Sequence, residues 1–293
     1  MKFRAHDTFS IRKGWLHKGM RHIINNPRVF VDKGINPMDE FGLGANMVKA
    51  LRYWLQVTGL TVEGANGNNR SQQLSEFGEV VWNNDSYLEE DGTLFLIHYF
   101  LCTNKDLATA WYYFFNEYKV IDITLENFLS GIKTYLLNED DYQVSERALK
   151  DDFDCIIKTY FDNEKNVSPE SNLTCPLSEL GLVSLSNEKN KIYTKTTPNI
   201  SAINPLIVLA VIINENTKNE GLREIKISKI ETDACNIGKV FNLDVFSIAS
   251  YLDKLQNMGY IKINRTAGLD LIYLNTNWTF IQCVEEYYRS IND

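Results

Sequence analysis

Cysteine and histidine are scarce in this chain, and long apolar runs are missing altogether. The five cysteines (Cys102, Cys155, Cys175, Cys235, Cys283) lie far apart with no CxxC word. That spacing argues against a structural zinc site and fits buried thiols in a reducing cytoplasm. The longest apolar run, Pro205 to Ile213, is far short of the roughly 20 residues a membrane span needs. No basic-then-apolar leader opens the sequence, so secretion is not expected. Gly42-Leu-Gly44 and Gly64-Ala-Asn-Gly67 lack the Lys-Ser/Thr of a phosphate loop, and neither GxSxG nor HExxH occurs. Glu224-Ile225-Lys226 has the E-x-K spacing of metal-dependent nucleases, but no upstream Asp on a partner strand accompanies it. No repeat of solenoid period is visible.

What is present is an uneven charge. The net charge is −8, yet residues 1–28 carry Lys2, Arg4, Arg12, Lys13, Lys18, Arg21 and Arg28 against the single acid Asp7. Residues 85–170 hold 18 acidic against 7 basic residues. A local polyanion site on an acidic body is compatible with this asymmetry, because local charge governs such contacts more than pI does. A solvated basic helix accounts for it equally well.

The pattern predicts a mainly α fold with small β-hairpins, in three zones. Zone 1–84 should contain a basic N-terminal helix, about Ser10 to Ile24, and a second helix capped by Asn46. The stripe Met47, Leu51, Leu55 and the stop at Gly59 mark that second helix. A short strand, the polar loop 64–69 and Leu74 to Gly78 follow, an order like the later half of a winged helix. A helix-and-hairpin unit without nucleic-acid contact has the same order. Zone 85–165 reads as an acidic helical middle, rich in aromatics that belong to a core. Its helices span Thr93 to Leu101 and Leu107 to Tyr118, and two more are capped by Thr124 and Ser145. In the last, Leu149, Phe153, Ile156 and Tyr160 share a face, with Asp151, Asp152 and Asp154 around it. A linker-like stretch covers 163–172. Zone 173–293 should be a C-terminal winged-helix domain: an apolar helix from Asn204-Pro205, a capping box Ser228 to Glu231, and a helix capped by Asp244 and stopped at Gly259. Strands Tyr260 to Asn264 and Leu271 to Leu274 complete it.

Phosphate contacts need cations. The helix after Asp244 carries Asp244 and Asp253 against Lys254, a charge that suits a protein contact as well as a groove; its wing offers Lys262 and Arg265. The helix after Gly44 carries Lys49 and Arg52 away from its apolar stripe, so DNA is placed first at the N-terminal zone. Three of the four histidines, His6, His17 and His22, fall there too. His17 and His22 are five apart and do not share one face well, which argues against a metal site. His6 and Asp7 beside Arg12 and Lys18 have the makings of a phosphodiester site, with His6 as base or proton donor. Asp7 equally suits a helix cap or a divalent ion. His98, on an aromatic helix after Glu89-Glu90-Asp91, is the second-rank catalytic candidate, although such histidines are usually satisfied within a core.

Several stretches together resemble a known family: His6 to Phe9, Arg12 to Gly19, Leu43 to Trp54, Leu94 to Tyr99, Lys150 to Cys155, and Cys175 to Leu182. The chain resembles, from about residue 3 to 280, the bacterial domain-of-unknown-function family that includes the SspB proteins of DNA phosphorothioation. Ala45 departs from it, standing where a Lys is expected before Asn46. The resemblance implies a cytoplasmic, DNA-acting protein of an anti-phage system that replaces a non-bridging phosphate oxygen by sulfur. Its partners would be double-stranded DNA, a cysteine desulfurase and an ATP-pyrophosphatase-like sulfur-transfer enzyme. SspB-type members are described as DNA nickases, which implies Mg²⁺ or Mn²⁺. The expected backbone contacts are Arg4, Arg12, Lys13, Lys18, Lys49 and Arg52, with His6 and Asp7 nearest the chemistry. A non-enzymatic DNA-recognition adaptor and a winged-helix regulator or scaffold are the alternatives.

Overall fold

The computed structural model describes residues 1–66, 69–138, 143–162, 174–219, 221, 223–266 and 269–292. The expected linker at 163–172 and the turn tip Ala267-Gly268 lie outside them. The chain is mostly helical, 54% helix against 12% strand, with small antiparallel sheets.

In the N-terminal part, α1 (Trp15–Asn25), α2 (Pro37–Phe41) and α3 (Ala45–Val57) precede a hairpin of β1 (Thr61–Asn66) and β2 (Asn69–Leu74), and α4 (Glu76–Asn84) follows. The first helix starts at Trp15, not near Ser10. Gly14 takes a left-handed φ of 79°, a conformation open to glycine, and residues 4–9 are held in turns before it. Trp15, Leu16, Gly19, Met20 and Ile23 form the buried face of α1. Gly19 permits close packing, since a Cβ there would press on Leu55 and Leu51 of α3. The expected cap Asn46 lies inside α3; Gly44 stands at the cap without a side-chain bond. Of the polar stretch 64–69, the described residues 64–66 and 69 belong to the strands, with Ala65 opposite Arg70 and Asn66 opposite Asn69; 67 and 68 lie outside the described residues.

The middle contains α5 (Asp91–Thr103), α6 (Thr109–Tyr112), α7 (Leu125–Asn138) and α8 (Glu146–Tyr160). Thr124 and Ser145 cap α7 and α8 through the amides of Asn127 and Ala148. The helix expected through Tyr118 instead widens into one π turn, Tyr113–Glu117. Asn116 there bonds the carbonyls of Cys102 (2.9 Å) and Tyr112 (3.0 Å).

After a 3₁₀ turn at Pro176–Leu180 come β3 (Val183–Asn187) and β4 (Ile192–Lys195), then α9 (Pro205–Asn219) and β5 (Glu224–Lys226). α10 (Ile227–Thr232), α11 (Ile237–Val240), α12 (Val245–Asn257), β6 (Ile261–Thr266), β7 (Leu269–Leu274) and α13 (Phe280–Asn292) complete the chain. The last sheet is antiparallel in the order β5-β7-β6. Asp244 caps α12 through the Ser247 amide at 2.7 Å, and Asn204 bonds the Leu206 amide at the start of α9. Ser228 is no cap, because α10 begins one residue earlier with Lys226 at its cap position.

Elements from all three parts share one apolar cluster. α13 packs on α9 and α4, and its Tyr287 and Tyr288 hydroxyls bond the Gly92 amide and the Thr93 hydroxyl at the head of α5. α4 meets the hairpin at Gly78, where a Cβ would overlap the carbonyl oxygen of Leu60. Backbone cannot yield there as a flexible side chain can. Gly78→Ala should therefore cost about 1–3 kcal/mol by overpacking, read as a fall in the calorimetric unfolding midpoint; an unchanged midpoint would refute this.

Candidate nucleic-acid interface

His6 makes no contact with solvent; its relative exposure is 0%. Its Nδ1 accepts the Thr8 amide at 3.0 Å, so the ring proton sits on Nε2, which donates to Asp152 Oδ1 at 2.7 Å. The Arg4 amide donates to the same oxygen at 2.9 Å, and the Arg4 Nε meets Asp151 Oδ2 at 2.6 Å. The ring lies parallel to Trp54 and edge-on to Trp111, and Trp54 Nε1 donates to the Phe9 carbonyl at 2.9 Å. Residues 4–9 are thus stitched across α3, α6 and α8. Burial pushes the Asp152 carboxyl above its ordinary range, against the opposing pull of His6 and the Arg4 amide. Its Oδ2 has no hydrogen-bond partner.

This arrangement uses both nitrogens of His6 in holding the chain. Asp7 sits half-buried beside it with φ 48°. His98 is equally enclosed, with Nε2 on the Val240 carbonyl at 2.5 Å and Nδ1 on the Tyr160 hydroxyl at 2.8 Å. Burial lowers its pKa to about 4. It bridges α5, α8 and α11 as a satisfied core histidine.

The expected phosphate contacts separate by their partners. Arg4 is paired with Asp151, Arg52 with Glu63 at 2.6 Å, and Arg265 loosely with Asp253 at 4.0 Å. Among the described residues, no carboxylate is paired with Arg12, Lys13, Lys18, Lys49 or Lys262. Lys18 reaches the Phe41 carbonyl at 3.1 Å and Lys49 the Asn46 side chain at 3.5 Å. Lys262 lies on β6, in a different sheet from the N-terminal hairpin.

The structure brings Arg12 and Lys13 together in a cleft of about 190 Å³, with Ile11, Gly14, Leu16 and Pro176 beside them and Glu89 and Glu179 among its lining. Arg12 lies over the rings of Phe9 and Trp15, at 5.7 and 5.2 Å from their centroids. Lys13 is fixed through its amide to the Thr174 carbonyl. Helix α1 begins at this cleft with no side-chain cap and no acid in its first turn, which leaves its terminal dipole positive. Tyr87 also lines the cleft. Its ring stacks on His17 at 4.2 Å, and His17 stacks on Trp82 at 5.4 Å.

Two elements of this site were not identified from the chain pattern. Asp152 is three residues after Leu149 and four before Ile156, on the stripe itself, and that spacing marks a buried position. The Trp82–His17–Tyr87 stack joins residues 65 and more apart in sequence and left no local signal. Among the described residues, no three His, Cys, Asp or Glu side chains converge as a metal cage; Glu224 of the E-x-K word is exposed on β5.

Two measurements follow. Asp152→Ala leaves the buried His6 Nε2–H and the part-buried Arg4 N–H without their acceptor and should cost about 1–3 kcal/mol for each stranded donor. Asp152→Asn keeps an acceptor for both and removes a desolvated charge, so it should cost only about 1 kcal/mol. Equal losses in denaturant titrations would contradict the pairing. For His98, the folded pKa of about 4 lies below the unfolded value near 6.5. The unfolded chain therefore takes the proton first, and stability is full above pH 6.5 and falls toward pH 4. The fall should reach about 3 kcal/mol, and His98→Gln should remove most of it in stability curves taken across that window.

Comparison with known proteins agrees with this architecture. No curated protein matches the chain. A magnesium ion-bound SspB crystal structure superposes with a TM-score of 0.87 at 23% identity, covering 100% of this chain and 89% of that one. A second SspB crystal structure gives 0.82 at 24% identity, covering 100% and 87%. At these identities the likeness is one of fold. The family described as Protein of unknown function (DUF4007) matches residues 3–288, and the chain belongs to that family.

Proposed function

We propose that this protein is a DNA-binding component of a phosphorothioation anti-phage system, acting in the cytoplasm beside a cysteine desulfurase and an ATP-pyrophosphatase-like enzyme. The observation that carries the reading is the cleft at the head of α1, where Arg12 and Lys13 face outward without paired carboxylates on a body of net charge −8. Lys18 on α1 and Lys49 on α3 would add two further cations without a carboxylate partner, and Arg4 and Arg52 would join only by giving up ion pairs. The family membership and the SspB-like fold support the assignment to such a system. The β5-β7-β6 sheet with α10 to α12 has the element order of a winged helix, and Lys262 and Arg265 would serve there as a second phosphate contact.

Nicking of one strand is the enzymatic form of this proposal, and one of the two similar SspB structures contains magnesium. The residues of this chain form no three-ligand cage among those described, and Mg²⁺ commonly completes its shell with substrate phosphates and water. His6 then acts as a positioning residue: it holds the segment that carries Asp7 and Arg12. A second reading, a non-enzymatic adaptor, is favoured by α12. Its Val245 and Phe246 are exposed, Phe246 by 85%, next to Asp244 and Asp253, a surface suited to a protein partner.

DNA binding, to single-stranded and duplex forms, measured against salt tests the proposal. Arg12→Ala with Lys13→Ala should weaken binding across all sequences and lower the log–log salt slope by about 2. Absence of binding at low salt would overturn it. Supercoiled plasmid incubated with Mg²⁺ or Mn²⁺ separates the two forms: relaxed circles that disappear in the double variant support nicking, and intact plasmid with normal binding supports the adaptor.

A further inference from the structure

We infer that the Arg12–Lys13 cleft receives an unpaired nucleotide, with its base stacked on Tyr87; the inference rests on the DNA-binding reading above and names the form of DNA that this cleft takes. Tyr87 is 65% exposed, an unusual position for a ring that ends a stack of three. Its inner face is covered by His17 at 4.2 Å and an interplanar angle of 11°, and Trp82 backs His17 at 21°. His17 is fixed in turn by a 2.8 Å bond from Nδ1 to the Ser86 carbonyl. The outer face of Tyr87 is therefore a rigid, flat π surface beside two cations. That pairing of an aromatic platform with a short basic groove is what single strands bind, because every base offers a π face once unstacked.

The loop that carries Tyr87 is built to hold it outward. Asp85 is buried, and its two oxygens accept the amides of Glu89 (2.9 Å) and Glu90 (3.1 Å). Leu88, with φ 60°, is buried next to the tyrosine.

Size and charge both favour one nucleotide over a duplex backbone. The cleft of about 190 Å³ is smaller than the roughly 300–1,000 Å³ that encloses a drug-sized ligand. Glu89 and Glu179 also line it. A duplex backbone laid over the cleft would carry successive phosphates past both carboxylates. A strand entering base-first offers only one or two phosphates, and Arg12 and Lys13 meet those.

The test is fluorescence anisotropy at low salt, with the full chain, a labelled mixed-sequence single strand and the duplex formed from it. Tyr87→Ala should weaken single-strand binding roughly 5- to 100-fold, while Tyr87→Phe, which keeps the ring, should stay within about twofold of wild type. Duplex affinity of Tyr87→Ala should be unchanged. Unchanged single-strand affinity in Tyr87→Ala, beside normal duplex binding, overturns this inference alone. An equal loss for both forms also overturns it, since the ring would then serve no unpaired base. Failure of the wild type to bind either form overturns the DNA-binding reading together with it. Because Tyr87 is exposed, its unfolding midpoint serves as the control that the variant is folded.

Discussion

The buried pair of His6 and Asp152 is the constraint on which the candidate face depends. It joins residues 146 positions apart and sets where the N-terminal segment leaves the body. Arg4, Asp7 and Thr8 all take positive φ, between 48° and 69°, a region costing L-residues roughly 1–2 kcal/mol each. Such a run persists only when surrounding contacts over-determine it. Here they do: Asp152 takes two donors on one oxygen, Asp151 takes the Arg4 side chain, and Trp54 ties down Phe9. The chain then emerges at Arg12 and Lys13 in one fixed place. Loss of DNA contact in a His6 variant would accordingly have a structural cause, transmitted through this segment.

Charge is distributed by the same logic. The acidic body neutralises the arginines that lie against it, Arg4 on α8 and Arg52 on β1. Exposed ion pairs of this kind contribute little stability, but they withdraw cations from the surface available to a polyanion. Among the described residues, Arg12, Lys13 and Lys18 near the head of α1 keep no carboxylate partner, and neither does Lys262 on β6. Net charge thus says little about this face, and which of its cations are paired says much more.

The parts of the fold legible in the sequence are those specified by short-range physics. α8 and α12 follow from apolar stripes and α9 from the continuous apolar run after Asn204-Pro205, and the caps at Thr124, Ser145, Asn204 and Asp244 from side chains that bond the next free amides. Caps at Asn46 and Ser228 failed because neighbouring residues, Gly44 and Lys226, took the position without any side-chain bond. The π turn at 113–117 depends on Asn116 reaching the carbonyl of Cys102 on another helix, a tertiary bond that no local period encodes. The candidate site divides the same way. Arg12 and Lys13 were visible as cations in a basic stretch, whereas the burial of His6 depends on a partner in α8.

The sealing of His6 also bears on how a nicking activity would be organised. A general base has to reach the proton it removes, and a ring with no exposure and both nitrogens engaged does not do so in this conformation. Opening the segment would leave the buried Asp152 carboxylate without its two donors, a loss of several kcal/mol. Chemistry at this face is therefore cheaper if it uses groups already at the surface: Asp7, the cations of the cleft, and Glu89 or Glu179 opposite them. Two carboxylates within a cleft that also holds Arg12 and Lys13 would raise the cost of binding a phosphate there without a counter-ion. The same two carboxylates would help to hold a cation brought in with the phosphate. Acids beside Arg12 and Lys13 thus weaken a simple phosphate clamp and fit the nicking form of the proposal, in which the strand would arrive with its metal.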